Sequence, residues 1–318
     1  MTLSHEFTPT QTPQRTGAPL HIAFGVSAQY APAMAVTIIS IVANNPHTHL
    51  ICHVLADSLP PDDIGRLKSL AEQQNVTIRV HDINRQMTSA LPDPKEFSYA
   101  TYYRFQISSL LRGIAQKVLY LDSDIVCLGD ISGLSALDMG DAIVAAVVDS
   151  ASQSPQRMAK IGMAEAAPYF NAGVLYIDLE RWNEHDITGK ATELLVRRGH
   201  QFSAVDQDAL NLVLAEKITW MDQRWNRFWN PLRPAPSDTV FLHYSHDKPW
   251  HKWSPSFGDP PFVKYLSQSP WPASRLERPV TRKHKKRYAR HLLKTGNILG
   301  ASLWYLNYLA TRKTAGKV

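Results

Sequence analysis

Lys117-Val-Leu-Tyr-Leu-Asp-Ser-Asp-Ile-Val-Cys-Leu-Gly-Asp130 is the stretch whose reading decides the fold. Val118 to Leu121 is an apolar run suited to a buried strand, and it delivers Asp122 and Asp124 to that strand's carboxyl end. Ligands of open α/β sheets collect at this edge. With one residue between them, the two carboxylates can meet one small ion only if the strand breaks into a turn. Acids that end a buried strand are costly unless a cation neutralises them.

The flanking sequence supplies the rest of such a sheet. His21 to Ser27 predicts a first strand, and Ala31 to Ala43 a helix with Met34, Ile38, Ile39 and Val42 in helical spacing. Leu50 to Leu55 predicts a second strand, Pro60-Pro61-Asp62-Asp63 opens an amphipathic helix, and Val76 to Ile83 alternates as a third strand. This alternation with short connections argues a parallel, doubly wound α/β sheet. Downstream, Tyr99 to Leu111 predicts a helix, Ala142 to Val148 a strand ending at Asp149, and Tyr169 to Asp178 contains another strand. Ser203 to Ala215 predicts a helix with Asp206, Gln207 and Asp208 in its first turn, where the helix dipole favours acids. Val240 to His243 is a last short strand.

At 318 residues and 44% hydrophobic content, the chain can bury one large core, with appendages. Residues 1–19, rich in Thr, Pro and Gln, read as a disordered leader and not a signal peptide. Cys52 and Cys127 are the only cysteines, which fits a reducing, cytoplasmic compartment. The net charge of +6 is unevenly spread. Residues 275–318 carry twelve Lys/Arg and one acid, Glu277, a net of +11, which leaves 22 basic and 27 acidic residues, −5, for the body. A mildly acidic body with a basic tail implies two tasks in two places.

Six islands in order resemble glycosyltransferase family 8, the retaining nucleotide-sugar transferases. They are the first strand, Thr101-Tyr-Tyr-Arg104, Lys117 to Asp124, Tyr169-Phe-Asn-Ala-Gly-Val-Leu175, Asp206-Gln-Asp-Ala-Leu-Asn211 and His243-Tyr-Ser-His-Asp-Lys-Pro-Trp250. The resemblance implies a GT-A fold over residues 20–274, a Rossmann-like, mostly parallel sheet flanked by helices. It implies a hexose, galactose or glucose, moved from a UDP-sugar to a saccharide or glycolipid acceptor such as a lipopolysaccharide core. Asp122, Asp124 and His243 are the implied metal ligands. An imidazole among oxygen ligands tilts the ion towards Mn²⁺ over Mg²⁺. A packed histidine ending a strand is the plainer reading of His243.

The same resemblance places Gly25, Val26, Ser27, Gln29, Tyr30, Arg104, Ser123, Asn171, Ala172, Gly173, His246 and Lys248 around the donor. Lys248 suits a phosphate as a flexible point charge. Arg104 either approaches the donor or holds an acid in place. Gly173 permits close backbone approach to the donor. Gln207 is the residue at the far face of the sugar, with Asp149 and Asp206 as alternative nucleophiles. A neutral amide is a poor nucleophile, which favours a same-face route. Asp206 also reads as an ordinary N-cap. Two departures stand out: Ser27-Ala28-Gln29-Tyr30 replaces an acidic turn after the first strand, and the loop from His243 to Lys248 is shortened and carries His246-Asp247.

The tail joins a basic run, Arg282 to Lys294, to an apolar aromatic helix, Ile298 to Ala310, too short to span a bilayer. It reads as a peripheral anchor to anionic lipid on the inner face of the cytoplasmic membrane. Two other functions compete: a nucleotide-sugar or glycan-binding protein without turnover, and a basic nucleic-acid scaffold. No nucleic-acid module accompanies the charge, so no nucleic-acid partner is expected.

Overall fold

The computed structural model describes residues 2–10, 16–94, 97–149, 152–272, 279 and 281–314. Its first half runs β1 (Thr2–Phe7), β2 (Thr16–Gly25), α1 (Ala31–Asn44), β3 (Thr48–Ala56), α2 (Pro61–Gln74) and β4 (Thr77–Asp82). A 3₁₀ segment at Tyr99–Gln106 leads into α3 (Ile107–Leu110), β5 (Lys117–Leu121), β6 (Ile125–Cys127), β7 (Val144–Val148) and α4 (Pro155–Ile161). Then come β8 (Phe170–Asp178), α5 (Leu179–Glu184), α6 (Ile187–Arg198), α7 (Val205–Val213), β9 (Ile218–Met221), β10 (Arg227–Phe228) and β11 (Phe241–His243). Helices α8 (Pro260–Leu266), α9 (Arg282–Lys294) and α10 (Ile298–Thr314) complete it.

The main sheet has the order β1-β4-β3-β2-β5-β8-β7-β9. Strands β4, β3, β2 and β5 are mutually parallel, and β7 and β9 are parallel. Strand β8 runs antiparallel between β5 and β7. It therefore starts where β5 ends, and Asn171 to Gly173 arrive beside the Asp-x-Asp turn. Apolar side chains bury both faces, Ile22, Phe24, Leu119 and Leu121 on one side and Val118, Tyr120, Leu175 and Ile177 on the other.

The expected turn forms between β5 and β6, and α1 pins it. Thr37 donates to the Ile125 carbonyl at 2.7 Å, and its Oγ1 lies 3.2 Å from that of Ser123. Ser40 accepts the Cys127 N–H at 2.9 Å. Strand β6 then leaves the main sheet for a second one, β10-β11-β6, in which β11 pairs antiparallel with β6. Its register sets His243 opposite Ile125, and Tyr244 N–H reaches the Asp124 carbonyl at 3.0 Å. Two sheets thus meet at the acidic pair.

The leader corrects the sequence reading. Thr2–Phe7, expected to lack structure, is an edge strand antiparallel to β4. Backbone pairing holds it, together with Ser4 to Val80 O and an Arg79–Glu6 ion pair at 2.9 Å. The expected boundary between Ser274 and Arg275 lies outside the described residues. Helices α9 and α10 form a hairpin closed by Tyr288 edge-on to Trp304, and Arg282 stacks over Tyr308. Its inner side joins the body through Trp253 and His251 against His284. Leu299, Leu303 and Leu306 on α10 stay 81%, 68% and 62% exposed. Among the described residues, no helix is long and apolar enough to cross a membrane.

Candidate active site

Asp122, Asp124 and His243 each place one ligand atom within 4.8 Å of the others. Asp122 directly follows β5, the turn before β6 supplies Asp124, and β11 supplies His243. Gly173 makes the convergence sterically possible. A Cβ there would stand 2.5 Å from His243 Cε1, 2.8 Å from Asp122 Oδ2 and 2.9 Å from Asn171 Oδ1. Its bareness admits the ligands themselves, in addition to any close approach of a donor.

His243 Nδ1 lies 2.9 Å from Asn226 Oδ1, and Nε2 lies 3.2 Å from Asp124 Oδ1. With Nδ1 donating to Asn226, Nε2 is the ring atom that faces the Asp124 carboxylate. Nε2 and the two carboxylates thus line one small site that a cation would complete. Hard oxygens and one imidazole form a donor set that fits Mn²⁺ or Mg²⁺.

Lys248 donates to Asp124 Oδ2 and to the carbonyls of Tyr244 at 2.8 Å and Ser245 at 2.9 Å. Burial alone would lift the Asp124 carboxyl, but Lys248 and His243 outweigh it and hold it well below the usual carboxylate range. Burial likewise opposes the Lys248 charge, and Asp124 more than restores it.

Arg104 is a buried hub. Its guanidinium donates to Ala172 O at 2.6 Å, to Asp122 Oδ1 at 3.1 Å and to Thr101 O at 3.0 Å. It pairs with Asp206 Oδ2 at 3.0 Å and lies 4.3 Å from the Tyr120 ring centroid. Of the two expectations for Arg104, the structure displays the holding of acids. Burial works against its charge, yet Asp206, Tyr120 and Asp122 keep it firmly protonated. Tyr120 also donates to Asp122 Oδ1 at 3.0 Å. Asp206 is not the N-cap of α7. Ala204 takes that place, and Asp206 instead accepts from Thr101 at 2.6 Å. Burial lifts its carboxyl above the ordinary value against the pull of Arg104.

Gln207 Oε1 accepts from Ala172 N–H at 2.9 Å and Asn171 Nδ2 at 3.1 Å. Both acceptor directions are thereby used, so Gln207 offers a ligand only N–H. Asp149, 3% exposed, accepts from Ser152 N–H and Oγ at 3.1 and 2.7 Å. At the end of β2, Val26 is buried and its N–H bonds to Leu55 O at 2.9 Å. Gly25 packs against Ala100 O, where a Cβ would approach to 2.6 Å, so its smallness serves the 3₁₀ segment behind it. Ser27 is half-buried, Gln29 is exposed, and Tyr30 stands edge-on to Trp250. Ser123 is buried in the turn. His246 is exposed, beside Ser245 Oγ at 2.8 Å and the Phe228 ring. The sequence reading missed Asn226, Tyr120 and Thr101, none of which carries a spacing signal by itself.

The sequence model of glycosyl transferase family 8 matches residues 21–254, which contain every group just described. The chain belongs to glycosyl transferase family 8. The family's C-terminal model matches residues 259–312, and so takes in α8, α9 and nearly all of α10. A lipopolysaccharide 1,3-galactosyltransferase of Salmonella typhimurium is 32% identical over 308 residues, covering 91% of this chain and 90% of its own length. A lipopolysaccharide 1,2-glucosyltransferase of Escherichia coli K12 is 32% identical over 249 residues, 74% of each chain. The structure of the galactosyltransferase LgtC with donor and acceptor sugar analogs superposes with a TM-score of 0.71 at 25% identity, over 80% of this chain and 97% of that one. The fold is therefore the GT-A arrangement of this family, and the protein is a glycosyltransferase.

Proposed function

We propose that the enzyme moves galactose or glucose, with retention, from a UDP-sugar to a saccharide acceptor, a lipopolysaccharide core or another lipid-linked glycan. The observation that carries this reading is the convergence of Asp122, Asp124 and His243 at the carboxyl edge of β5 within 4.8 Å. These three would hold Mn²⁺, with Mg²⁺ as the alternative ion. Bound there, the ion supplies Lewis-acid neutralisation of the diphosphate leaving group.

The chain's own groups do the rest. Arg104 and Tyr120 fix the Asp122 carboxylate in one orientation. Lys248, paired with Asp124 on a flexible stem, would swing its ammonium into an ion pair with a phosphate oxygen of the donor. Ser27 and Gln29, at the mouth of β2, present uncharged partners to the ribose and base. Gln207, its Oε1 filled by Ala172 N–H and Asn171 Nδ2, would meet the sugar only as a donor. Asp206 is tied to Arg104 and Thr101, and Asp149 to Ser152. These ties favour the same-face route over attack by a protein carboxylate, with the leaving phosphate taking the acceptor proton.

The tail suits the acceptor. Basic α9 and the exposed leucines of α10 would lie on anionic lipid at the inner face of the cytoplasmic membrane, where a lipid-borne glycan is met. Incubation with UDP-galactose or UDP-glucose, Mn²⁺ and a truncated lipopolysaccharide acceptor should release UDP. Wild type no better than an Asp124→Asn variant with either donor would defeat the proposal.

A further inference from the structure

We infer that Asn226, through a one-way chain of side-chain amides, sets the tautomer of His243 and so presents its Nε2 to the cation site. The chain begins at buried Asp208. Its carboxylate can only accept, and it receives the Tyr169 hydroxyl at 2.6 Å, Arg157 at 2.8 Å and the N–H groups of Ser203 and Ala204, each at 2.9 Å. With its proton spent on Asp208, the Tyr169 oxygen accepts from Gln207 Nε2 at 3.1 Å. That fixes Gln207 with Oε1 towards Asn171 Nδ2.

Two backbone donors confirm the sense of the chain independently. Ala172 N–H can only donate and points at Gln207 Oε1, and Gly173 N–H points at Asn171 Oδ1 at 2.9 Å. Asn171 Oδ1 therefore accepts from Asn226 as well, at 2.9 Å through Nδ2. This leaves Asn226 Oδ1, an acceptor, against His243 Nδ1 at 2.9 Å. His243 must place a proton on Nδ1, which leaves Nε2, 3.2 Å from Asp124 Oδ1, as the ring atom facing the cation site. A flipped Asn226 would set N–H against Nδ1 and oppose two carbonyl-type oxygens to each other. Asn226 is thus a positioning residue, acting through His243.

The metal half of this inference rests on the proposed function, whereas the tautomer half does not. Long-range ¹H–¹⁵N NMR of the metal-free protein at pH 8 should give His243 a protonated Nδ1 and a bare Nε2. In Asn226→Leu the Nδ1–H signature should be lost and Mn²⁺ affinity by calorimetry should fall about 10- to 100-fold. Asn226→Asp, whose carboxylate still accepts from Nδ1–H, should restore the signature and recover most of the affinity. A thermal melt checks folding, and Asn226→Ala serves if the leucine variant does not fold. Wild-type protonation on Nε2, or an unchanged tautomer in the Leu or Ala variant, overturns the inference. Loss of the Nδ1–H signature in a protein that binds no Mn²⁺ at all upholds the tautomer assignment and sinks the metal reading alone.

Discussion

Replacing Gly173 by alanine tests the packing of the site at a single atom. Gly173 does not lie in the left-handed region, so the added methyl brings a steric cost with no backbone penalty. Its Cβ would stand 2.5 Å from His243 Cε1, about 1 Å inside ordinary van der Waals contact at ~3.5 Å. The surroundings yield little. Asp122 N–H binds Gly173 O at 2.8 Å, and Asn226 holds His243 from behind. Overpacking of this kind costs about 1–3 kcal/mol. If the fold absorbs the strain, the melting temperature falls by about 2–4 °C for each kcal/mol. If His243 swings away, Mn²⁺ binding weakens about 5- to 150-fold instead. Calorimetric titration with Mn²⁺ and a thermal melt on the same sample capture both routes. Gly65→Ala is the matched control, because its Cβ meets nothing within 4 Å in the middle of α2 and should stabilise slightly. A Gly173→Ala protein that matches wild type in both readouts would refute the packing argument.

Arg104→Leu leaves Asp122 and Asp206 without their shared guanidinium. Urea unfolding at pH 7 should show a loss of about 3–5 kcal/mol, and a loss below about 1 kcal/mol would contradict the hub assignment. A buried row of histidines joins β2, β3 and β4, with His53 bonded to His21 at 2.9 Å and His81 at 3.0 Å. Burial first, then its two neighbours, lowers His53 to about 2. Its stabilising contribution is therefore complete above the unfolded value near ~6.5 and is lost progressively as pH falls from there. Between pH 6 and pH 5, His53→Phe should flatten the decline in unfolding free energy by up to about 1.4 kcal/mol per pH unit, and an unaltered slope contradicts the assignment. Changing Leu299, Leu303 and Leu306 together to Ser should leave UDP release from soluble substrates intact and abolish sedimentation with phosphatidylglycerol vesicles. Persistent sedimentation would remove the leucines from the anchor.

Much of this molecule is legible in the chain because local periodicity and burial agree. The helix expected at Ala31 to Ala43 is Ala31–Asn44, and the strand expected at Val76 to Ile83 is Thr77–Asp82. The acidic turn could be read because β5 is apolar from Val118 up to Leu121. Edge strand β1 escaped notice because polar side chains and backbone pairing, not an apolar run, hold Thr2–Phe7. The antiparallel sense of β8 escaped for a different reason: a strand's own sequence does not record the direction of its neighbours. Asn226 lies in Trp225-Asn226-Arg227-Phe228, where nothing local distinguishes it from a loop amide. Its role arises from contacts 17 and 55 residues away in the chain. Arg104 stood out as a charge among aromatic residues, but only the fold reveals which acids it serves.

The central claim is that Asp122, Asp124 and His243 together grip a divalent cation that bridges a nucleoside diphosphate. Anomalous diffraction from a crystal grown with UDP and Mn²⁺ tests it directly. The account predicts one strong manganese peak in contact with both carboxylates, His243 Nε2 and the diphosphate oxygens. Ordered UDP with the manganese elsewhere, or with His243 turned away from it, would contradict the account.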